Sequence, residues 1–229
     1  VVEKQEKAEY KARLGKGCTI LVLPKSNQGL VYVRNWITSH STKLGVDRHW
    51  QIDDNLRGFK RWYKQGRQVC SSKVALGAVE EFVDRYENVA VSGLGYEMFL
   101  PCPAKPFRIN AHIYSCTLFS NGWLNQKADR FRGPANEDVD ICLQAIADGL
   151  CTVQFCAFMV DKVQTEKVSG GCTAEMYQYQ DVRLKNARAL ERRWPGVVSV
   201  VRRFGRPHFK IVNEWKQFTT PLKRRTDID

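Results

Sequence analysis

The chain has 229 residues, with 36 Lys and Arg against 24 Asp and Glu for a net charge of +12, 43% hydrophobic residues, 11% aromatics and eight cysteines. That length buries one sizeable core, and 16 Gly, 8 Pro and 26% charged residues exclude collagen-like, low-complexity and wholly disordered chains. The longest apolar runs, residues 18–23 and 155–160, fall far short of the roughly 18–20 residues that cross a bilayer.

Residues 1–17 read as a polar, helix-prone N-terminal extension with no apolar signal core. CTILVL (18–23) reads as a buried strand stopped by Pro24, residues 30–40 as a helix, and RHWQI (48–52) as the next strand. Ser71 or Ser72 caps a helix in which Ala75, Ala78, Val79, Phe82, Val83 and Tyr86 recur at helical spacing. Residues 88–94 and 107–120 return to strand character. Asn136 precedes a helix with Val139, Cys142, Leu143 and Ile146 on one face, and Gly149 stops it. CTVQFCAFMV (151–160) predicts another strand, followed by a loop around Ser169, Gly170 and Gly171, a basic helix ending at Pro195, and a last strand over 197–204. Alternating strands and helices predict a mainly parallel α/β sheet flanked by helices in a single domain, residues 18–229. The eight cysteines form no CxxC pair and most sit in apolar segments, which predicts reduced, buried thiols.

The charge is regional. Residues 183–229 hold 13 basic and 4 acidic residues, +9 of the total +12. A second run, Arg57, Lys60, Arg61, Lys64 and Arg67, contains no acid and is interleaved with Phe59, Trp62 and Tyr63. Basic residues among aromatics suit a phosphate backbone with bases to stack on; the same pattern also describes a solvated face whose stems cover core rings.

Three constellations carry chemistry. At residues 49–55, a strand runs straight into Asp53, Asp54 and Asn55. Oxygen donors at a strand's C-terminal end suit a hard divalent cation beside a diphosphate, and they also open turns. At residues 132–138, Glu137 and Asp138 stand on the first turn of a helix, either complementing its dipole or poised to accept a proton. At residues 202–208, arginines precede His208, a structural histidine or a further metal ligand.

Together VRNWI (33–37), RHWQIDDNLRGF (48–59), RGPANEDVDICLQ (132–144) and RRWPGVV with RRFGRPH (192–208) resemble the TET/JBP-associated glycosyltransferase family, in order from about residue 18 to 212. That family is similar to GT-A glycosyltransferases and includes the base J glucosyltransferase and bacteriophage relatives. The resemblance implies a single-domain GT-A-like fold, a UDP-sugar donor, UDP-glucose first, and an acceptor in DNA, the hydroxymethyl group of 5-hydroxymethylcytosine. It implies Mn2+ or Mg2+ at Asp53, Asp54, Asn55 and His208, and catalysis by Asp138 as base with Glu137 beside it. It also implies a donor side comprising Pro24, Arg34, Asn35, Asp53, Arg203 and Arg206, with DNA held by Arg57, Lys60, Arg61, Lys64, Arg67 and Arg132. The expected setting is the cytoplasm of an infected bacterial host, with no membrane partner. Alternatives are 5-hydroxymethyluracil or a protein hydroxyl as acceptor, a metal-dependent nuclease, and a DNA-binding module with a degenerate fold.

Overall fold

Local sequence starts most elements where its chemistry says it should. The computed structural model describes residues 1–64, 66–100, 105–128, 130–133, 135–163, 180–212 and 220–227. The loop expected around Ser169 to Gly171 lies outside them, as do Cys102 and Cys172. Helix α1 (Lys7–Leu14) precedes α2 (Leu30–Lys43), and the chain then enters β1 (Arg48–Ile52). A hairpin follows, β2 (Leu56–Tyr63) with β3 (Gly66–Cys70). Ser71 caps α3 (Ser72–Val83), its Oγ accepting from the Val74 amide at 3.3 Å. Next come β4 (Val89–Tyr96), β5 (Phe107–Ile109), β6 (Cys116–Ser120) and the short α4 (Asn121–Leu124). Then α5 (Glu137–Ala147), β7 (Cys151–Lys162), α6 (Gln180–Arg193), β8 (Val198–Arg203) and β9 (Arg206–Ile211) complete the order.

A mixed α/β architecture with one central sheet is found, but the sheet is not mainly parallel. Its order is β1-β6-β4-β7-β2-β3, with β5 also on β7, and among the described residues only the β4–β7 pairing of this sheet is parallel. The reason is connection length. Between the strands of the β2–β3 hairpin, not read from the sequence, lie only two positions, 64 and 65, too few for the crossover that a parallel neighbour needs. The long run over 107–120 is broken into β5 and β6, with positive φ at Asn110 and Ser115 at the break. Residues 18–23 are no strand of the sheet either; they meet Val2 in one bridge, with Leu23 N–H donating to the Val2 carbonyl at 2.9 Å.

Directions nevertheless organise the site. Because β1 opposes β6, β6 opposes β4, and β4 runs with β7, the strands β1, β4 and β7 share a direction and end on the same edge, at Ile52, Tyr96 and Lys162. In sheet order three strands separate β1 from β2, yet residues 53–55 suffice to join them. At roughly 3.3–3.6 Å per residue, so short a link requires the strand ends to converge. They do: Asp53 N–H donates to the Ser115 carbonyl at 2.8 Å, and Val163 N–H to the Asn55 carbonyl at 3.0 Å.

Helices cover both faces. Ala75, Val79 and Val83 of α3 pack on Val89, Cys116, Leu118 and Val153, whereas Ile141, Cys142 and Ala145 of α5 pack on Ala90, Val91 and Phe119. The separate β8–β9 hairpin and α6 dock on α5 through Leu190, Val198 and Ile211 against Val139 and Leu143. Six described cysteines are free thiols, four of them buried; Cys18 is exposed. Among the described residues no helix is long and apolar enough to cross a membrane. Inside the sheet, a Cβ at Gly93 would overlap the Cys116 carbonyl and crowd Ile113. Gly93→Ala is therefore expected to lower stability by about 1–3 kcal/mol in chemical denaturation; an unchanged midpoint would mean that β4 and β6 part freely.

Candidate active site

The site grows from one buried guanidinium. Arg34, on α2 and only 8% exposed, donates Nε to Glu137 Oε1 at 3.1 Å, Nη1 to Gln51 Oε1 at 3.2 Å and Nη2 to Asp53 Oδ1 at 3.4 Å. It thus ties the first helix, the strand-end loop and the head of α5 together. Gln51 is held in turn, its amide donating to Thr38 Oγ1 at 3.2 Å and to the Arg34 carbonyl at 3.3 Å. Across the loop, Lys162 Nζ lies 3.3 Å from Asp53 Oδ2 and donates to Ser115 Oγ at 2.6 Å. Asp53 therefore sits between two cations. Asn35 serves structure, exchanging two hydrogen bonds with the Phe131 backbone at 2.8 and 3.1 Å.

Three acids on one turn of α5 take three different partners. Glu137, 7% exposed, pairs with Arg34. Burial pushes its carboxyl above the ordinary value, the Asp138 charge adds to that, and Arg34 offsets it only in part. Asp138 Oδ2 lies 3.0 Å from His112 Nε2, in an approach too oblique for a well-formed hydrogen bond, while its Oδ1 accepts the Val139 amide at 2.8 Å. Burial pushes Asp138 upward, but His112 first, then Arg34 and the Val139 N–H, outweigh it and hold the carboxyl below its ordinary value. Two adjacent carboxyls pushed in opposite directions are an arrangement that acid–base chemistry can use and that buried ion pairs also produce. Asp140, fully buried, accepts Arg132 Nε at 2.8 Å, Trp194 Nε1 at 2.7 Å and Gln144 Nε2 at 2.9 Å.

Two clefts open beside these groups. One of about 410 Å3 is lined by Tyr96, Phe99, Asn110, His112, Tyr114 and Gln154, among others; the other, about 340 Å3, by Arg57, Arg67, Tyr96, Glu97 and Lys162. Tyr96 belongs to both.

The expected metal ligands divide. Among the described residues Asn55 Oδ1 is buried with no hydrogen-bond partner and Asp54 is exposed beside it, so these two oxygens fit a hard divalent cation. Asp53, neutralised by Arg34 and Lys162, fits one poorly. His208 is exposed on β9, in the other sheet, and among the described residues no three His, Cys, Asp or Glu side chains converge to hold a metal. Pro24 is exposed after the Val2 bridge, and Arg203 and Arg206 face each other as the last pair of the β8–β9 hairpin. Of the basic run, Lys60 and Arg67 bind Glu97 at 2.7 and 3.3 Å, and Arg67 lies over Trp62. Arg61 and Lys64 flank the Tyr63 ring and Arg57 lines a cleft, all three exposed. Arg132 is committed to Asp140.

A family model described as TET-Associated Glycosyltransferase matches residues 1–171 of the 229. The chain belongs to this family. It is a glycosyltransferase, and the matched segment holds Arg34, Asp53, His112, Glu137, Asp138 and Lys162, whereas α6 and the β8–β9 hairpin lie beyond it. Neither the curated proteins nor the solved structures give a match.

Sequence reasoning missed His112, Lys162 and Asp140 in this glycosyltransferase. His112 stood inside an apparent strand with nothing to mark it. Lys162 did carry a signal, as a cation closing a long apolar strand. Asp140→Ala is expected to cost about 3–5 kcal/mol in stability by stranding Arg132 and Trp194, which calorimetry of the full chain will read. Because the Asp138 carboxyl is lowered on folding, its contribution is present above the ordinary value of 3.8 and fades as pH falls through the folded value below it. Asp138→Asn should flatten that acid limb of stability and leave stability near pH 7 lower than in the unaltered chain; parallel profiles would refute the pairing.

Proposed function

We propose that this glycosyltransferase moves a hexose from a UDP-sugar, UDP-glucose first among them, to the hydroxymethyl oxygen of 5-hydroxymethylcytosine in DNA, with inversion at the anomeric carbon. The observation that carries the reading is the Asp138–His112 pair at 3.0 Å, with His112 on the wall of the larger cleft and the neighbouring Glu137 tied through Arg34 to Asp53. Strands β1, β4 and β7 ending together supports a GT-A-like reading, in which ligands lie beyond the carboxyl ends of the strands.

The chemistry follows from these side chains. The ionised Asp138 keeps His112 oriented and offsets the charge that the imidazole gains. As the hydroxymethyl oxygen forms its bond to C1 of the sugar, its proton passes to His112. The C1–O bond to the diphosphate breaks, and UDP leaves with that electron pair. Lys162 and Arg57, lining the smaller cleft, stabilise the diphosphate where its charge grows. A Mn2+ or Mg2+ ion held by Asp54 and Asn55 would supply further charge compensation to the diphosphate. Tyr96 borders both clefts and so stands between donor and acceptor. The rings of Tyr96, Phe99 and Tyr114 suit an unstacked pyrimidine, which an acceptor buried in a duplex must become. The +12 net charge favours DNA over a neutral peptide, and the cytoplasm of an infected bacterial host is the setting this reading assigns.

The test is the intact mass of a duplex oligonucleotide carrying one hydroxymethylcytosine, incubated with Mn2+ and a mixture of UDP-glucose, UDP-galactose and UDP-N-acetylglucosamine. One hexose increment is expected; an increment only on hydroxymethyluracil or on a peptide hydroxyl would move the acceptor to that class. His112→Gln and Asp138→Asn should each lower kcat by about 10²–10⁴-fold with UDP-sugar affinity unchanged. Full turnover in His112→Gln with loss in Asp138→Asn would make the carboxylate itself the proton acceptor.

A further inference from the structure

The β8–β9 hairpin turns on two residues, Phe204 and Gly205, after the Arg203–Arg206 pair. Both have positive φ, +51° and +72°, as the tight turn that matches the twist of two antiparallel strands requires. Asn or Gly normally leads such a turn; a bulky side chain there is strained. Phe204 is also 98% exposed, so its ring gains nothing from the fold in return. A strained, solvated phenyl ring at the end of a protruding hairpin is unfavourable for the isolated protein on two separate grounds. It is the surroundings that give it a use: residues 198–211 contain Arg202, Arg203, Arg206 and Lys210 and no acid.

The hairpin is also firmly mounted. Val198 and Ile211 at its base pack on Val139 and Leu143, within the helix that begins with Glu137 and Asp138. At roughly 3.3 Å per strand residue, the tip stands about 20 Å from that anchorage, which is about six steps of a DNA duplex.

We propose that the β8–β9 tip is a DNA-binding wedge, its arginines on phosphates and the Phe204 ring stacked on a base of the duplex. This rests on the reading of DNA as acceptor. Cationic charge without acids selects a polyanion, and an aromatic ring among those charges selects one with bases to stack on. The ring adds affinity with no dependence on salt, and the arginines set the salt dependence.

The experiment uses the full chain, an unmodified duplex labelled with 2-aminopurine, and no sugar donor, so it reads binding independently of transfer. Phe204→Ala should weaken binding about 5- to 150-fold and abolish the change in 2-aminopurine fluorescence, while the slope of log K against log salt stays as it is. Phe204→Trp should restore both. Arg203→Ala should lower the slope by about one. Phe204→Asn separates this role from a structural one: it should raise the thermal midpoint by relieving the turn while weakening DNA binding like the alanine variant. Equal DNA affinity in Phe204→Ala and the unaltered chain overturns the proposal. So does a Phe204-dependent affinity for phosphatidylserine vesicles with none for DNA. Absence of transfer to hydroxymethylated DNA alongside Phe204-dependent duplex binding would sink the proposed reaction and leave the wedge standing.

Discussion

The buried guanidinium of Arg34 is what the rest of the site depends on. A cation only 8% exposed is tolerable because Glu137, Gln51 and Asp53 each accept one of its N–H groups. Those three acceptors come from the head of α5 and from the end of β1 with the loop beyond it, so satisfying one charge fixes the relative position of α2, β1 and α5. Lys162 repeats the device from the end of β7 on the other side of Asp53. The carboxylate that the sequence offers first as a metal ligand is thereby turned into the structural centre of the strand-end loop. Among the described residues the neighbouring Asn55 Oδ1 has no hydrogen-bond partner, and Asp54 is exposed.

Geometry makes this economy possible. Residues 53–55 are so short a link between strands so far apart in sheet order that β1, β6, β7 and β2 must draw together at one edge. Drawing them together brings Asp53, Ser115 and Lys162 into contact and sets Tyr96 between two clefts. The acids of α5 then divide the work by direction around the helix. Glu137 faces the strand ends, Asp138 faces His112, and Asp140 faces the C-terminal elements through Arg132 and Trp194. Positions one and two apart on a helix do not face each other, so Asp138 points away from Glu137 and Asp140, which are three apart and lie on one side.

The basic residues likewise do more than one job. Lys60, Arg67 and Arg132 pair with Glu97 and Asp140, whereas the exposed Arg57, Arg61 and Lys64 take no acid among the described hydrogen bonds and ion pairs. A count of charges could not separate these groups, because Lys and Arg stems cover buried rings as readily as their heads meet phosphate. The β8–β9 hairpin carries the rest of the contrast: its base is core and its tip is strained, cationic and aromatic.

What the sequence alone determined was local or additive. The Ser71 cap, the helical period of α3 and α5, the apolar strands at 48–52, 88–94 and 151–160, and family membership through Arg34, the 53–55 loop and the 137–138 pair could be read from neighbours along the chain. Strand direction could not, since apolar runs look alike whether their partners lie parallel or antiparallel, and the β2–β3 hairpin hides in a charged stretch. Nor could the pairing of Asp138 with His112, or of Asp53 with Lys162, because 26 and 109 residues separate these partners and only packing brings them within hydrogen-bonding reach. The residue types were legible because chemistry needs them; which of them meet was decided by the convergence of the strand ends, a property of the whole sheet.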